Sequence, residues 1–285
     1  MGSVKTVQKK NIPYWIARDH RDLVRWLKAR GEGPVFVLEN DEQTHRLISR
    51  SGLTVTVSCR DIPRLPDEHI IDYFARACGF SEENKFYERY PELHTNNQEK
   101  EDCKVWLERM RLRDHPLVLI QSGNRKSGRW ARKSEKDWPC ERWVEFMRNV
   151  LNSKSDSRIL LCGSAQEKRI TLGMQQAIAD PRVLSVAGDL NLRRLFALLQ
   201  ISHSMISVDT GPAHAAAALG CPLVVLFGGT DPRDISPVSR TSPVLIVTGP
   251  PGAPEPSGKI EWSKHHFMEG ISVESVTDAW RKING

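Results

Sequence analysis

The run from Met205 to Pro237, MISVDTGPAHAAAALGCPLVVLFGGTDPRDISP, leaves the least freedom in how this chain can fold. It opens with a short apolar stretch, Met205 to Val208, that stops at Asp209, Thr210, Gly211 and Pro212, the pattern of a buried parallel strand ending in a tight turn. Pro212 suits a first helical turn, where a missing N–H costs nothing; Ala213 to Leu219 are strong helix formers, and Gly220 ends them. A second apolar strand, Leu223 to Phe227, runs into Gly228, Gly229, Thr230 and Asp231. Strand, turn, small-residue helix and strand make one βαβ unit, whose turn presents backbone N–H groups at a helix N-terminus and so suits an anion. Asp209 is the odd residue. A carboxylate beside an anion site repels the anion unless it faces something else, such as sugar hydroxyls, or simply caps the helix. Spacing alone leaves both readings open.

The preceding hundred residues repeat the alternation. Leu117 to Gln121 reads as a buried strand that feeds Ser122, Gly123 and a loop with six cations between Arg125 and Lys136, Lys126 among them. Glycine, serine and cations after a strand end suit a phosphate, through backbone N–H groups and point charges; the alternative is a solvated basic loop. A helix over Arg142–Leu151 follows, with Trp143, Phe146, Met147 and Val150 on one face. The strand Arg158–Cys162 ends at Gly163, and Glu167 lies one turn beyond. That carboxylate either accepts from both hydroxyls of a ribose or is an exposed first-turn Glu favoured by the helix dipole. A short strand, Val183–Val186, and a helix, Leu192–Gln200, complete the set. After a Pro- and Gly-rich loop, a last helix spans Ser272–Ile283 with Ser272 as its cap.

The first part is less regular. Helices are expected over Asp19–Arg30, Asp41–Ser49, Asp67–Cys78 and Asn97–Arg111, with strands at Val35–Leu38 and Leu53–Val57. The domain boundary falls at Asp114–Pro116, giving domains 1–115 and 116–285. The expected class is α/β, two Rossmann-like domains with parallel sheets.

Composition bounds the partners. No stretch approaches the roughly 18 apolar residues of a membrane span, and no charged-then-apolar leader opens the chain. The six cysteines form no C-x-x-C pair or Cys/His cluster, so neither a metal site nor a disulfide framework is expected. His265 and His266 are adjacent and would point to opposite faces of a strand, which argues against a shared metal. The net charge of +6 points to anionic partners. Nucleic acid is the poorest fit, because no basic recognition helix and no interleaved aromatics accompany the charge.

The ordered run Asp209, Thr210, Gly211, His214, Gly220, Pro222, then Gly228, Thr230, Pro232 and Pro237, resembles the signature of glycosyltransferase family 9, the heptosyltransferases of lipopolysaccharide assembly. Lys136, Trp138 and Pro139 match that family's K-x-W-P element. The resemblance covers residues 116 to 280 well and the earlier region weakly. It implies a GT-B fold and a nucleotide-sugar donor, typically ADP-heptose, held by Ser122, Arg125, Lys126, Lys136, Glu167, Leu190, Asp209, Thr210, Gly211 and His214. Lys136 and Asp209 are the implied catalytic pair, Lys136 reaching the diphosphate and Leu190 lying against the base. The implied reaction is an inverting transfer to an anionic glycan or lipid-linked acceptor, with no cofactor and no metal. The implied location is cytoplasmic, with peripheral contact at the inner membrane open to it. Enzymes of this family usually begin with a strand and a Gly-Asp step that supplies the general base. No such step is found here: Asp19 and Asp22 follow neither a glycine nor a clear strand. The N-terminal domain is therefore expected to be short, truncated or divergent, and a nucleotide-sugar binding module without transfer activity is the alternative.

Overall fold

The computed structural model describes Ala29 and residues 33–38, 41–80, 89–123, 136–250 and 267–283. The chain divides into two units, Met1–Tyr87 and Glu88–Gly285.

In the first unit, β1 (Phe36–Val37) and β2 (Val57–Ser58) pair in parallel, with Val37 opposite Ser58. Between them α1 (Glu42–Ser51) starts at Asp41, whose carboxylate accepts from the Thr44 N–H at 3.0 Å, and stops at Gly52, whose φ of 71° is a conformation that glycine adopts without strain. His69 is buried and caps α2 (Ile70–Ala77), its Nδ1 accepting from the Ile71 N–H at 3.3 Å. The Tyr73 hydroxyl contacts the carbonyls of Cys59 and Ile62, both at 3.0 Å, and so ties α2 to the segment after β2.

The second unit holds α3 (Asn97–Met110), β3 (Leu117–Gln121), α4 (Cys140–Ser153), β4 (Arg158–Cys162), α5 (Lys168–Ile178), β5 (Val183–Ser185), α6 (Leu192–Ile201) and β6 (Ser204–Val208). It continues through α7 (Gly211–Ala218), β7 (Leu223–Phe227), α8 (Pro232–Ile235), β8 (Val244–Thr248), α9 (Phe267–Gly270) and α10 (Val273–Lys282). Among the described residues, six strands form one parallel sheet in the order β5-β4-β3-β6-β7-β8. β3, β6 and β7 are buried at every position, which is why they read as near-continuous apolar runs.

Alternate residues of each strand serve two core layers. Val118, Ile120, Ile206, Val208, Val224 and Leu226 join Trp143, Phe146, Val276 and Trp280 from α4 and α10. Leu117, Leu119, Met205, Leu223 and Val225 join Trp106, Leu198, Ala213 and Ala216 from α3, α6 and α7. The alanines let α7 lie close to the sheet; Ala213 and Ala216 have no exposed surface. Trp138, Trp143, Phe146 and Trp280 form an edge-on chain of rings 4.9 to 6.5 Å apart.

The unit boundary differs from the one expected at 115/116. α3 buries Cys103, Trp106 and Leu107 in the same layer as Leu198 and Leu199, and its Asp102 accepts two bonds from Arg194 at 2.8 and 2.9 Å. Those contacts fasten α3 to α6, so it belongs with the sheet that follows it. Helix α5 carries no clear signal in the sequence, because Gly173 and a polar face dilute its apolar spacing. Burial raises the thiols of Cys162 and Cys221 to about 12 and that of Cys103 to about 11, which leaves them inert.

Beneath the sheet, at the start of β6, the Lys154 ammonium donates to His203 Nε2 at 2.9 Å, and Ser204 links His203 to Trp280. Burial, then the charge of Lys154, hold His203 below its ordinary value of 6.5. The unfolded chain therefore takes up a proton first as pH falls, so this contribution to stability is complete above about pH 6.5 and is lost as pH drops through the window below it. Urea midpoints measured at pH 7.5 and 5.5 should fall less for His203→Gln than for the wild type.

Candidate functional site

The sheet reverses direction between β3 and β6: β3, β4 and β5 step one way and β6, β7 and β8 the other. Helices after β3 and β6 consequently leave on opposite sides, and a crevice remains outside the carboxyl ends of these two strands. Ser122 and Gly123 leave β3 there, and Asp209, Thr210 and Gly211 leave β6. Glu167, Leu190 and Thr230 follow β4, β5 and β7 at the same end of the sheet.

Lys136 reaches the crevice because the residues after it are anchored. Trp138 is buried, donates from Nε1 to the Ile271 carbonyl at 3.0 Å, and meets Trp143 edge-on. The Lys136 ammonium then pairs with Asp209 Oδ2 and lies 3.4 Å from the Asp209 carbonyl. The Asp209 carboxylate is 5% exposed, with Thr230 Oγ1 3.4 Å from Oδ2 and His214 Nε2 3.6 Å from Oδ1. Burial pushes this carboxyl up, but His214 and Lys136 outweigh it and hold the group below the usual carboxylate range. Asp209 is therefore charged at neutral pH.

The helix-cap reading of Asp209 does not hold. Its carboxylate does not cap α7, whose N-cap is Thr210, and its partners among the described residues are protein side chains. The turn also offers fewer donors than expected. The Ala213 and His214 N–H groups turn back to the Thr210 carbonyl and Pro212 has none. The Gly211 N–H is left without an acceptor among the described residues, and the space beside its Cα is open.

Glu167 corrects a second expectation, that of an exposed first-turn residue. It is 6% exposed. Its Oε2 accepts from the Ser164 N–H and hydroxyl, both at 2.7 Å, and its Oε1 accepts from Gln121 Nε2 at 3.1 Å. Gln121 also donates to the Gly123 carbonyl at 2.9 Å. A Cβ on Gly123 would sit 2.3 Å from Oε1, so the exit of β3 is moulded around this carboxylate. Ser122 is buried beside it, Leu190 is half-buried against the second core layer, and the His214 ring is exposed. Arg125 and Lys126, the loop 124–135, Asp19, Asp22, His265 and His266 lie outside the described residues.

Thr230, Gln121 and Ser164 were not read as site residues. Thr230 stood in the motif without a role, and a glutamine ending a wholly buried strand is itself a signal, since such a side chain needs a partner. The first unit holds a further cavity of about 470 Å³ outside the carboxyl ends of β1 and β2, lined by Cys59, Arg60, Arg64, Tyr73 and Phe74. Arg60 donates to Glu42 at 2.9 Å and Arg64 to the Glu68 carbonyl at 2.8 Å. Among the described residues no group of three His, Cys, Asp or Glu could hold a metal ion.

A doubly wound parallel sheet with an ion pair at its switch point defines an α/β protein whose ligand crevice lies outside the strand ends. Residues 73–255 match the model of glycosyltransferase family 9 (heptosyltransferase), and the chain belongs to that family. It is 26% identical over 159 residues to the lipopolysaccharide core heptosyltransferase OpsX of Haemophilus influenzae, a stretch covering 53% of this chain and 45% of that protein. It is 43% identical over 82 residues to lipopolysaccharide heptosyltransferase 3 of Escherichia coli, covering 29% of this chain and 22% of that one. The matches thus span less than half the length of these relatives. In fold it is similar to E. coli ADP-heptose LPS heptosyltransferase II, with a TM-score of 0.67, 19% identity, and coverage of 96% of this chain and 82% of that one. A family 9 glycosyl transferase from Veillonella parvula gives a TM-score of 0.70 at 17% identity, covering 97% and 80%. The fold class is α/β of the GT-B type.

If Glu167 braces the exit of β3, Glu167→Ala takes one of the two acceptors from the Gln121 amide and leaves the Ser164 N–H without its acceptor, and should cost about 1 to 3 kcal/mol of stability. Chemical denaturation checks this; an unchanged midpoint would return Glu167 to a purely ligand-facing role.

Proposed function

We propose that this protein is an inverting glycosyltransferase that moves a heptose or related sugar from a nucleotide-sugar donor, ADP-heptose, to a lipopolysaccharide-type or other anionic glycan acceptor. The observation that carries this reading is the meeting of Lys136 and Asp209 in the crevice between β3 and β6, beside the open Gly211 N–H. An ammonium and a backbone donor there suit a diphosphate, and family membership supplies the sugar chemistry.

In the proposed reaction the acceptor hydroxyl attacks the sugar C1 from the face opposite the diphosphate. The acceptor O–C1 bond forms, the C1–O bond to phosphate breaks, its electron pair passes to the leaving diphosphate, and the hydroxyl proton goes to a general base. Charge grows on the diphosphate in the transition state, so a fixed ammonium stabilises that state more than the ground state. Lys136, the Gly211 N–H and the basic loop with Arg125 and Lys126 supply this charge without a divalent ion, and transfer should persist in excess chelator. Ser122, Glu167, Leu190, Thr210 and His214 surround the donor in this reading. The first-unit cavity, with Arg60 and Arg64, is the proposed acceptor side. No described helix is long and apolar enough to cross a membrane, and the net charge of +6 suits peripheral contact of a cytoplasmic enzyme with anionic lipid at the inner membrane.

Loss of one such electrostatic donor costs about 2.7 to 4 kcal/mol, a roughly hundredfold to thousandfold fall in kcat. Steady-state kinetics should show that loss for Lys136→Ala and partial recovery for Lys136→Arg, whose planar fork replaces a point charge. Arg64→Ala should raise the acceptor KM by roughly tenfold or more while leaving the donor KM unchanged. Measuring donor hydrolysis beside transfer separates an enzyme from a binding module. Binding without either reaction would favour the module.

A further inference from the structure

The Asp209 carboxylate is at odds with a diphosphate site, and its position explains what it does there. Its side chain is 4% exposed, whereas the Lys136 side chain it holds is 32% exposed. The two charges cancel, so an anion entering the crevice meets a neutralised pair with a fixed negative charge at its inner end. An ionised carboxylate is acceptor-only, with about four lone-pair positions. Lys136, His214 and Thr230 address three of them. What remains welcomes a hydroxyl, which can donate, and opposes a phosphate oxygen, which cannot.

We infer that Asp209 is the discriminating counter-anion of this site: it seats the Lys136 ammonium in the crevice and weakens binding of a bare nucleoside diphosphate relative to the same nucleotide bearing its sugar. A sugar hydroxyl donating to Asp209 offsets the repulsion that the diphosphate feels, whereas the spent nucleotide has nothing to offer in exchange. The arrangement favours entry of donor and departure of product. This inference rests on the donor-site reading above.

Calorimetric titration of the full chain with ADP and with ADP-heptose tests it. The wild type should bind ADP-heptose at least roughly tenfold more tightly than ADP, a difference of about 1.4 kcal/mol. In Asp209→Asn, which keeps the shape and removes the charge, ADP binding should tighten by roughly tenfold and the preference for ADP-heptose should collapse. Asp209→Ser removes the same charge in a smaller side chain and should act in the same direction. An Asp209 that only seats Lys136 would change the affinities for ADP and ADP-heptose alike and leave the preference between them intact. Equal affinity of the wild type for ADP and ADP-heptose, or weaker ADP binding in both Asp209 variants, would overturn the inference while leaving the donor site in place. A wild type that binds neither nucleotide overturns the donor-site reading itself.

Discussion

The reversal of strand order between β3 and β6 is the constraint from which the site follows. Parallel strands need helical crossovers, and where successive crossovers leave on opposite faces no helix can cover the strand ends between them. Two loops are thereby brought together from positions 73 residues apart, and Lys136 meets Asp209 across the gap. An ion pair in this place is unlike one on an open surface. Asp209 is buried and depends on its partners to remain charged, so Lys136 and His214 specify its state as well as its position.

Each side of the gap is braced by groups that face the protein. Trp138 is locked by its bond to the Ile271 carbonyl and its edge-on contact with Trp143, which fixes the chain just beyond Lys136. Gln121, Glu167 and Ser164 form a buried polar chain that holds the exit of β3, with room for a glycine alone at 123. Across the sheet, Gly228 takes the place of a side chain that would collide with Met268, so α9 can approach the end of β7. Pre-set groups of this sort avoid the cost of ordering the site at the moment of binding.

Much of this was legible in the sequence because the strands are buried on both faces. β3, β4 and β7 fell on the residues expected for them, and β6, α7 and α10 within a residue or so, since unbroken apolar runs ending in Gly, Pro or Asp leave little choice of boundary. The motif around Asp209 pointed to the family that residues 73–255 match. Partnerships were not legible. Spacing could not show that Asp209 would be held by a lysine 73 positions earlier, nor that Glu167 would turn inward to a glutamine on the neighbouring strand, because both contacts are made by the sheet order and not by local sequence. The same reason misplaced α3, whose contacts with α6 lie about ninety residues ahead of it.

A crystal structure of the protein with ADP measures the central claim directly. The account predicts the diphosphate in the crevice between the ends of β3 and β6, with a phosphate oxygen about 3 Å from Lys136 Nζ and another facing the Gly211 N–H. A diphosphate bound elsewhere on the chain, with the Lys136 and Asp209 pair left undisturbed and out of contact with it, would contradict the account.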